Sequence, residues 1–499
     1  LASGGIFATS ILSNLKAAYG SNSPKIAIVG GGIAGLNAAY YLKKVGLTAT
    51  IYEAKSHVGG RIQSMTGAVS DGLVNDLGGC FINTDHSDML ALVEELGLSL
   101  FNRSEDVEDS ALPETAYWLD GKAYTEAEIA ETLRPLAQQI REDAGLLDED
   151  FDQYAPALDQ LSVKQYLDRH ADKIPVPFIR TLIELSIRTE YGVEPEESSA
   201  LQLLYNLPTV EGDQAELLSS DETFLVQGGS SKVIEKLASA LSGQIQTDKV
   251  LTQIQPQGNG FELTFGDASI VNADFVVLAI PFTVLRHVDL QVELPETLQR
   301  FIAESSLGRN EKVLAGFRNR IWRQEQGFVA DSWSNLGFSQ IWEDTQRQNE
   351  RPEGVLTFYL GGNEVSAVQS TPVSQTGQEF VNQLDIMLPG AKAAVSDRFF
   401  RTDWTQDPYV QGSYSTFKPG QYTEFGEYLY IESDNPEERQ DVHVGNLVFA
   451  GEHLSDEFYG YMNGAAQTGR LAAAVVVKQA QRDHEDEEKL SSIQLHKSY

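Results

Sequence analysis

Residues 25–54, KIAIVGGGIAGLNAAYYLKKVGLTATIYEA, constrain the fold of this chain more than any other stretch. A short apolar run ends in glycines, a segment of helical period follows, and a second apolar run closes the pattern of a βαβ unit. Gly30, Gly32 and Gly35 fall as G-x-G-x-x-G at the strand-to-helix turn. The first glycine allows the tight turn, the second lets backbone approach a pyrophosphate, and the third lets helix pack on strand. The helix start then offers free N–H groups and a positive dipole end to phosphates. Glu53 ends the second strand, where an acid meets a ribose hydroxyl and disfavours a 2′-phosphate. An α/β dinucleotide-binding domain is expected.

Beyond this unit, residues 80–220 read as mostly helical, for example DMLALVEELGL and ETLRPLAQQIRED. Strand character returns after Gly228 in KVLTQIQPQGNGFELTFGDASIVNADFVVLAIP, and residues 290–420 mix helices with strands. NLVFAGEH reads as a buried strand meeting a glycine turn, and YMNGAAQTGRLAAAVVVKQAQ as a long helix of small residues. At 499 residues the chain has room for two or three intertwined units around a buried site.

The 72 acidic against 37 basic residues give a formal charge of −35, which repels nucleic acid and anionic lipid surfaces. The surplus reads as a solvated acidic surface, with steering of a cationic small molecule as its second use. No apolar run is long enough to span a bilayer, so no transmembrane segment is expected. Cys80 is the only cysteine, so no intramolecular disulfide can form and cysteine usage does not report the compartment. Residues 1–12, LASGGIFATSIL, read either as the trailing part of an export signal or as a segment docked on the fold. Periplasmic or secreted and cytoplasmic locations stay equally open. His57, His86 and His453 have no metal-ligand spacing with Cys80 or with one another, so no metal site is expected.

After Glu53 comes Gly59–Gly60–Arg61, and here the sequence resembles the flavin amine oxidases, a family that includes monoamine, polyamine and L-amino acid oxidases. The resemblance runs at intervals over residues 25–474. It implies that Gly59, Gly60 and Arg61 lie against an FAD diphosphate, and that Gly78 and Gly79 form a turn close to the isoalloxazine ring. It further implies that Val250 meets adenine through its backbone, and that Gly451 and Glu452 in FAGE form a second FAD motif. Met462 then opens a helix toward the flavin, whose positive end can stabilise the anion formed on reduction.

For the reacting site the resemblance implies Lys312, acting through a water at flavin N5, and Tyr414 with Tyr461 as an aromatic pair above the flavin. Trp404 is placed at the flavin edge. Ser413 stands where mammalian monoamine oxidases carry a flavin-linked cysteine, so FAD is expected to be non-covalent. The loop CFINTDHSD lacks the arginine with which many L-amino acid oxidases hold the substrate carboxylate, and Arg188 or another arginine would have to do so.

The implied fold is α/β, a Rossmann-like FAD-binding domain interleaved with a substrate domain of mixed sheet plus a helical insertion. The segments are 25–80, 225–285 and 421–480 for FAD, 81–224 for the largely helical insertion and 286–420 for the mixed sheet, with 1–24 and 481–499 as terminal extensions. FAGEH and GYMNGA look most like bacterial L-amino acid oxidases, so the expected reaction is oxidative deamination of an L-amino acid, with arginine or lysine the first choice, to the 2-oxo acid, ammonia and hydrogen peroxide. The alternative is a monoamine or polyamine oxidase. Oxygen or a quinone would take the electrons, and a homodimer is compatible with the sequence. A carotenoid desaturase and a non-catalytic FAD-binding protein are the rival readings; the presence of Lys312 and both tyrosines speaks against them.

Overall fold

The computed structural model describes residues 23–496, and their side chains through Arg482. The segment 1–22, which holds most of the first terminal extension and the export-signal reading, lies outside the described residues, as do 497–499. The chain divides into two compact units. One consists of the chain up to Gly60, Val233–Glu304 and the chain from Glu427; the other of Arg61–Lys232 and Ser305–Gly426.

In the first unit a six-stranded sheet runs in the order Ile245–Gln246, Ala49–Tyr52, Ile26–Val29, Phe275–Leu278, Leu447–Phe449, His443–Val444. Its first five strands are parallel and the last is antiparallel. Ile26–Val29 and Phe275–Leu278 are buried at every residue, which is why each reads as an unbroken apolar run. The helix Ile33–Lys44 packs against the final helix Met462–His496. Gly469 makes their approach close, because a Cβ there would strike the Ala34 backbone. Asn37 Nδ2 bonds Ala466 O across the same contact at 2.7 Å. A four-stranded sheet, Ile270–Ala273, Gly260–Phe265, Leu251–Gln257 and Asp289–Leu290, completes the unit.

The second unit is built on a seven-stranded mixed sheet in the order Val395–Arg401, Asn310–Phe317, Gly354–Gly361, Gln340–Glu343, Asp331–Ser334, Thr115–Leu119, Lys122–Tyr124. Alternation divides it into two faces. Val313, Ala315, Phe317, Phe358 and Leu360 point into an apolar core with Phe380, Val381 and Leu384 of the helix Val373–Met387. On the opposite face the registers Lys312↔Tyr359 and Tyr359↔Gln340 set those three side chains in one row.

The insertion between residues 81 and 224 contributes the helices Glu126–Glu149, Phe151–Asp159, Val163–Arg169, Pro177–Tyr191 and Ala200–Asn206. The first starts at a reciprocal cap between Thr125 and Glu128. The insertion also supplies the hairpin Thr115–Leu119/Lys122–Tyr124, which the helical reading did not include. The fold is therefore α/β, with a Rossmann-like unit interleaved with a second unit of mixed sheet and helices.

Candidate cofactor and active site

Gly30 has φ +107°, and a Cβ there would run into Ala279 O, while a Cβ on Gly35 would meet the Gly30 carbonyl. Around Gly32 the space is open. Gly32 also caps Ile33–Lys44 with no side-chain hydrogen bond, which leaves the first helical N–H groups to a ligand. Glu53, 8% exposed, accepts Gly31 N at 2.6 Å on one carboxylate oxygen and Lys55 N at 2.8 Å on the other. Gly59 N donates to Gly31 O at 2.8 Å, and a Cβ on Gly60 would come within 3.4 Å of Gly32 Cα. The glycines of G-x-G-x-x-G and the GG of GGR thus adjoin one another.

Val250 reaches the same edge, since Lys249 N donates to Glu53 O at 2.8 Å and Gly266 N to Val250 O at 2.8 Å. An open cradle, an uncapped helix start and an acid at the strand end fit the adenosine diphosphate half of FAD.

At the other end of this unit, Gly451 N donates to Thr468 Oγ1 at 3.0 Å, and buried Glu452 accepts Gly460 N at 2.8 Å. That bond ties the FAGE turn to the loop carrying Tyr461, which precedes Met462 at the start of the last helix. Tyr461 N bonds Phe458 O at 3.2 Å, and Met462 is buried.

In the second unit Gly79 N bonds Arg61 O at 3.1 Å, and a Cβ on Gly78 would strike that same carbonyl. Arg61 Nη1 donates to Ser413 O at 2.8 Å, and Trp404 Nε1 to Leu77 O at 3.1 Å. Lys312, 5% exposed, joins this turn from the sheet. Its Nζ donates to Asp76 O at 2.9 Å and Gly78 O at 2.8 Å, lies 3.6 Å from Cys80 Sγ, and stands 5.2 Å over the Trp342 ring. Burial pushes the Cys80 thiol up to about 11, against the pull of Lys312.

Tyr414 follows Ser413, whose Oγ bonds Asn310 Oδ1 at 2.7 Å. The Tyr414 hydroxyl donates to Thr189 O and lies 2.7 Å from the Tyr359 hydroxyl. The structure thus gathers Lys312, Gly78, Gly79, Trp404, Arg61 and Tyr414 in the second unit, and Gly30, Gly32, Gly35, Glu53, Gly59, Gly60, Val250, Gly451, Glu452, Tyr461 and Met462 in the first.

Sequence reasoning missed several neighbours. Tyr359 packs on Trp342 with centroids 4.8 Å apart, and Trp342 on Phe81 at 5.6 Å. Asp76 is paired with Arg347 at 2.9 Å, both side chains almost wholly buried. Burial pushes Asp344 up to about 6, opposed by Lys312 and Arg347, and Asn75 Nδ2 donates to it at 2.5 Å. Glu222 is pushed up to about 7 by burial despite Arg103. The apolar and aromatic run GVLTFYLG signals a buried strand, but which residue faces Lys312 depends on a pairing between distant strands.

Arg188 is engaged, with Nη2 2.8 Å and Nε 3.0 Å from Glu194 Oε2. His86 accepts Asn83 N at 3.1 Å, and burial lowers it to about 4. His453 packs edge-on to Phe282 at 4.5 Å. Among the described residues no group of His, Cys, Asp or Glu could hold a metal ion, and no helix is long and apolar enough to cross a membrane.

Fold and glycine cradle define a dinucleotide-binding α/β protein. The family model for flavin containing amine oxidoreductase matches residues 33–477, so the chain belongs to that family and its cofactor is FAD. Polyamine oxidase 1 of Zea mays is 24% identical over 476 residues, covering 92% of this chain and 91% of its own. Putrescine oxidase of Kocuria rosea is 25% identical, with 91% and 95% covered. The fold is similar to that of cyclohexylamine oxidase from Brevibacterium oxydans, with TM-score 0.76, 23% identity, and 92% and 99% covered. The chain is an oxidoreductase acting on carbon–nitrogen bonds of amines.

Proposed function

We propose that the enzyme oxidises an amine that carries no carboxylate, to an imine that water hydrolyses to a carbonyl compound and ammonia or a smaller amine, with oxygen reduced to hydrogen peroxide. The observation that carries this reading is the pairing of Arg188 with Glu194. An amino acid carboxylate in a dry site needs a cationic partner, since an unpaired buried ion costs several kcal/mol. Arg103 and Arg347, both buried in the same unit, are likewise held by Glu222 and Asp76. The amine-oxidising names of the relatives support the same choice over the L-amino acid reading.

Bound FAD supplies the acceptor for the two electrons and the hydrogen removed from the carbon beside nitrogen. In this reading Gly30, Gly32, Gly35 and the helix start hold the diphosphate, Glu53 the ribose, Val250 the adenine, and Arg61 a phosphate charge. Glu452 orders the FAGE turn, and Lys312 fixes the Asp76–Gly78–Cys80 turn against the sheet. Tyr414 and Tyr461 offer ring faces that orient an alkyl-ammonium or amine group. The segments of the first unit then act as the FAD-binding domain and those of the second as the substrate domain.

The test is anaerobic mixing of the yellow enzyme with monoamines, diamines, polyamines and L-amino acids. Flavin bleaching fastest with an amine is expected. Bleaching by arginine or lysine ahead of agmatine, cadaverine and spermidine would restore the amino acid reading.

A further inference from the structure

Tyr414 is held from two sides. Its backbone is pinned by Gly308 N, which donates to Tyr414 O at 2.8 Å, and by Ser413 N, which donates to Gly308 O at 2.8 Å. Asn310, 2% exposed, adds a second tie, because its Oδ1 accepts Ser413 Oγ while its Nδ2 donates to the carbonyls of Arg188 and Thr189 at 2.9 and 3.1 Å. Backbone placement therefore does not need the tyrosine ring.

The ring is oriented by its hydroxyl. Thr189 O can only accept, so the Tyr414 proton goes to Thr189. The 2.7 Å contact between the two phenols must then be a bond that Tyr359 donates. Tyr359 is rigid in turn: it sits in the strand Gly354–Gly361 opposite Lys312, with its ring packed on Trp342. A relay of fixed direction runs from Tyr359 through Tyr414 to the end of the helix Pro177–Tyr191.

We infer that Tyr359 is a positioning residue that sets the ring plane of Tyr414, and that the Tyr414 hydroxyl serves this bond and not the substrate. The inference rests on the proposed role of Tyr414 in orienting the amine. With its proton committed to Thr189, the Tyr414 hydroxyl has none to donate to a ligand, and the orientation of the ring face it presents depends on a residue whose own hydroxyl points toward Tyr414. Loss of the Tyr359 hydroxyl removes one of the two bonds that orient the Tyr414 ring and leaves it held by Thr189 alone, with the backbone still in place.

The experiment is a double-mutant cycle with Tyr359→Phe, Tyr414→Phe and the pair, all in the FAD-loaded enzyme. Phenylalanine keeps both rings and the Trp342 stack, and thermal melts check that each variant is folded. The readouts are KM and kcat for the best amine, and the Kd of benzyltrimethylammonium, a cation that has no nitrogen lone pair and cannot be oxidised. Tyr359→Phe is expected to weaken both KM and this Kd by about fivefold, the factor carried by one ordinary hydrogen bond, with a smaller change in kcat. In the Tyr414→Phe background the same substitution is expected to change neither, because the bond it removes is already absent. An equal effect of Tyr359→Phe in both backgrounds, or none in the wild-type background, would overturn the assignment while leaving the amine reading intact. Failure of every amine to bleach the wild-type flavin would overturn that reading, and the role of Tyr359 with it.

Discussion

The Lys312 ammonium donates to the carbonyl oxygens of both Asp76 and Gly78, at 2.9 and 2.8 Å, and so fastens the Gly78–Gly79 turn to the seven-stranded sheet. Replacement by methionine keeps the aliphatic stem and removes both donors. One buried and one partly buried carbonyl would lose a charged partner, at about 1–3 kcal/mol for the buried one and less for the other, and the melting temperature should fall. Reoxidation of reduced flavin by oxygen should slow more than FAD binding weakens, as read by stopped-flow absorbance and FAD titration. An unchanged reoxidation rate would remove Lys312 from the reaction and leave it as a fastener.

Flavin should leave the protein intact on acid precipitation. Ser413 offers no thiol, and the sole cysteine is buried with its Sγ against Lys312. Absorbance of the supernatant and pellet reads this directly; colour retained by the pellet would contradict it.

Arg188→Ala is expected to act on stability and not on substrate choice. The Arg188–Glu194 pair is partly buried, so its loss should cost about 1–3 kcal/mol, below the roughly 3–5 kcal/mol of a fully buried pair. Relative kcat/KM values across amines and amino acids should stay constant. A rise in KM confined to amino acids would make Arg188 a carboxylate clamp.

Asp344 gives the protein a pH dependence with a definite sign. Burial lifts its carboxyl from the ordinary 3.8 to about 6, while Lys312, Arg347 and the bond from Asn75 pull it down and Asp76 pushes it up. The folded state thus holds this proton more tightly than the unfolded chain. The stability it brings is full below pH 3.8 and is lost as pH rises through 6, each tenfold gain in proton affinity on folding being worth about 1.4 kcal/mol. Denaturant titrations of wild type and Asp344→Asn should therefore give stabilities whose difference, wild type minus variant, falls as pH rises from 3.8 to 6. Parallel curves would show that the carboxyl binds its proton equally well in the folded and unfolded chain.

Legibility in the sequence followed the range of the interactions. The G-x-G-x-x-G turn with Glu53 is local, and steric need fixes glycine at Gly30 and Gly35, so spacing together with the strand–helix–strand context was enough to point to the turn. The hairpin at residues 115–124 was also local, since Asp120 and Gly121 both take positive φ, as a two-residue turn requires, but the helical pattern on either side masked it. Tyr359 could not be found in the same way. Its meaning arises from a strand register and from a hydroxyl 55 positions away. Arg188 carried a charge that suited a carboxylate, and only the fold shows that Glu194, six positions on, already takes it.

The parallel sheet of the first unit places Phe275–Leu278 between Ile26–Val29 and Leu447–Phe449. During synthesis the glycine cradle emerges ahead of the whole second unit, yet its sheet stays incomplete until Leu447–Phe449 has left the ribosome. Long-range parallel pairing of this kind is slow, and incomplete chains expose unpaired edges. The second unit, whose segments fall between those of the first along the chain, has its own sheet complete by Arg401. Such a chain has reason to fold its middle segments ahead of its ends, with the nucleotide-binding unit closing last and a truncation before Leu447 leaving an open apolar edge on the sheet that carries the cradle.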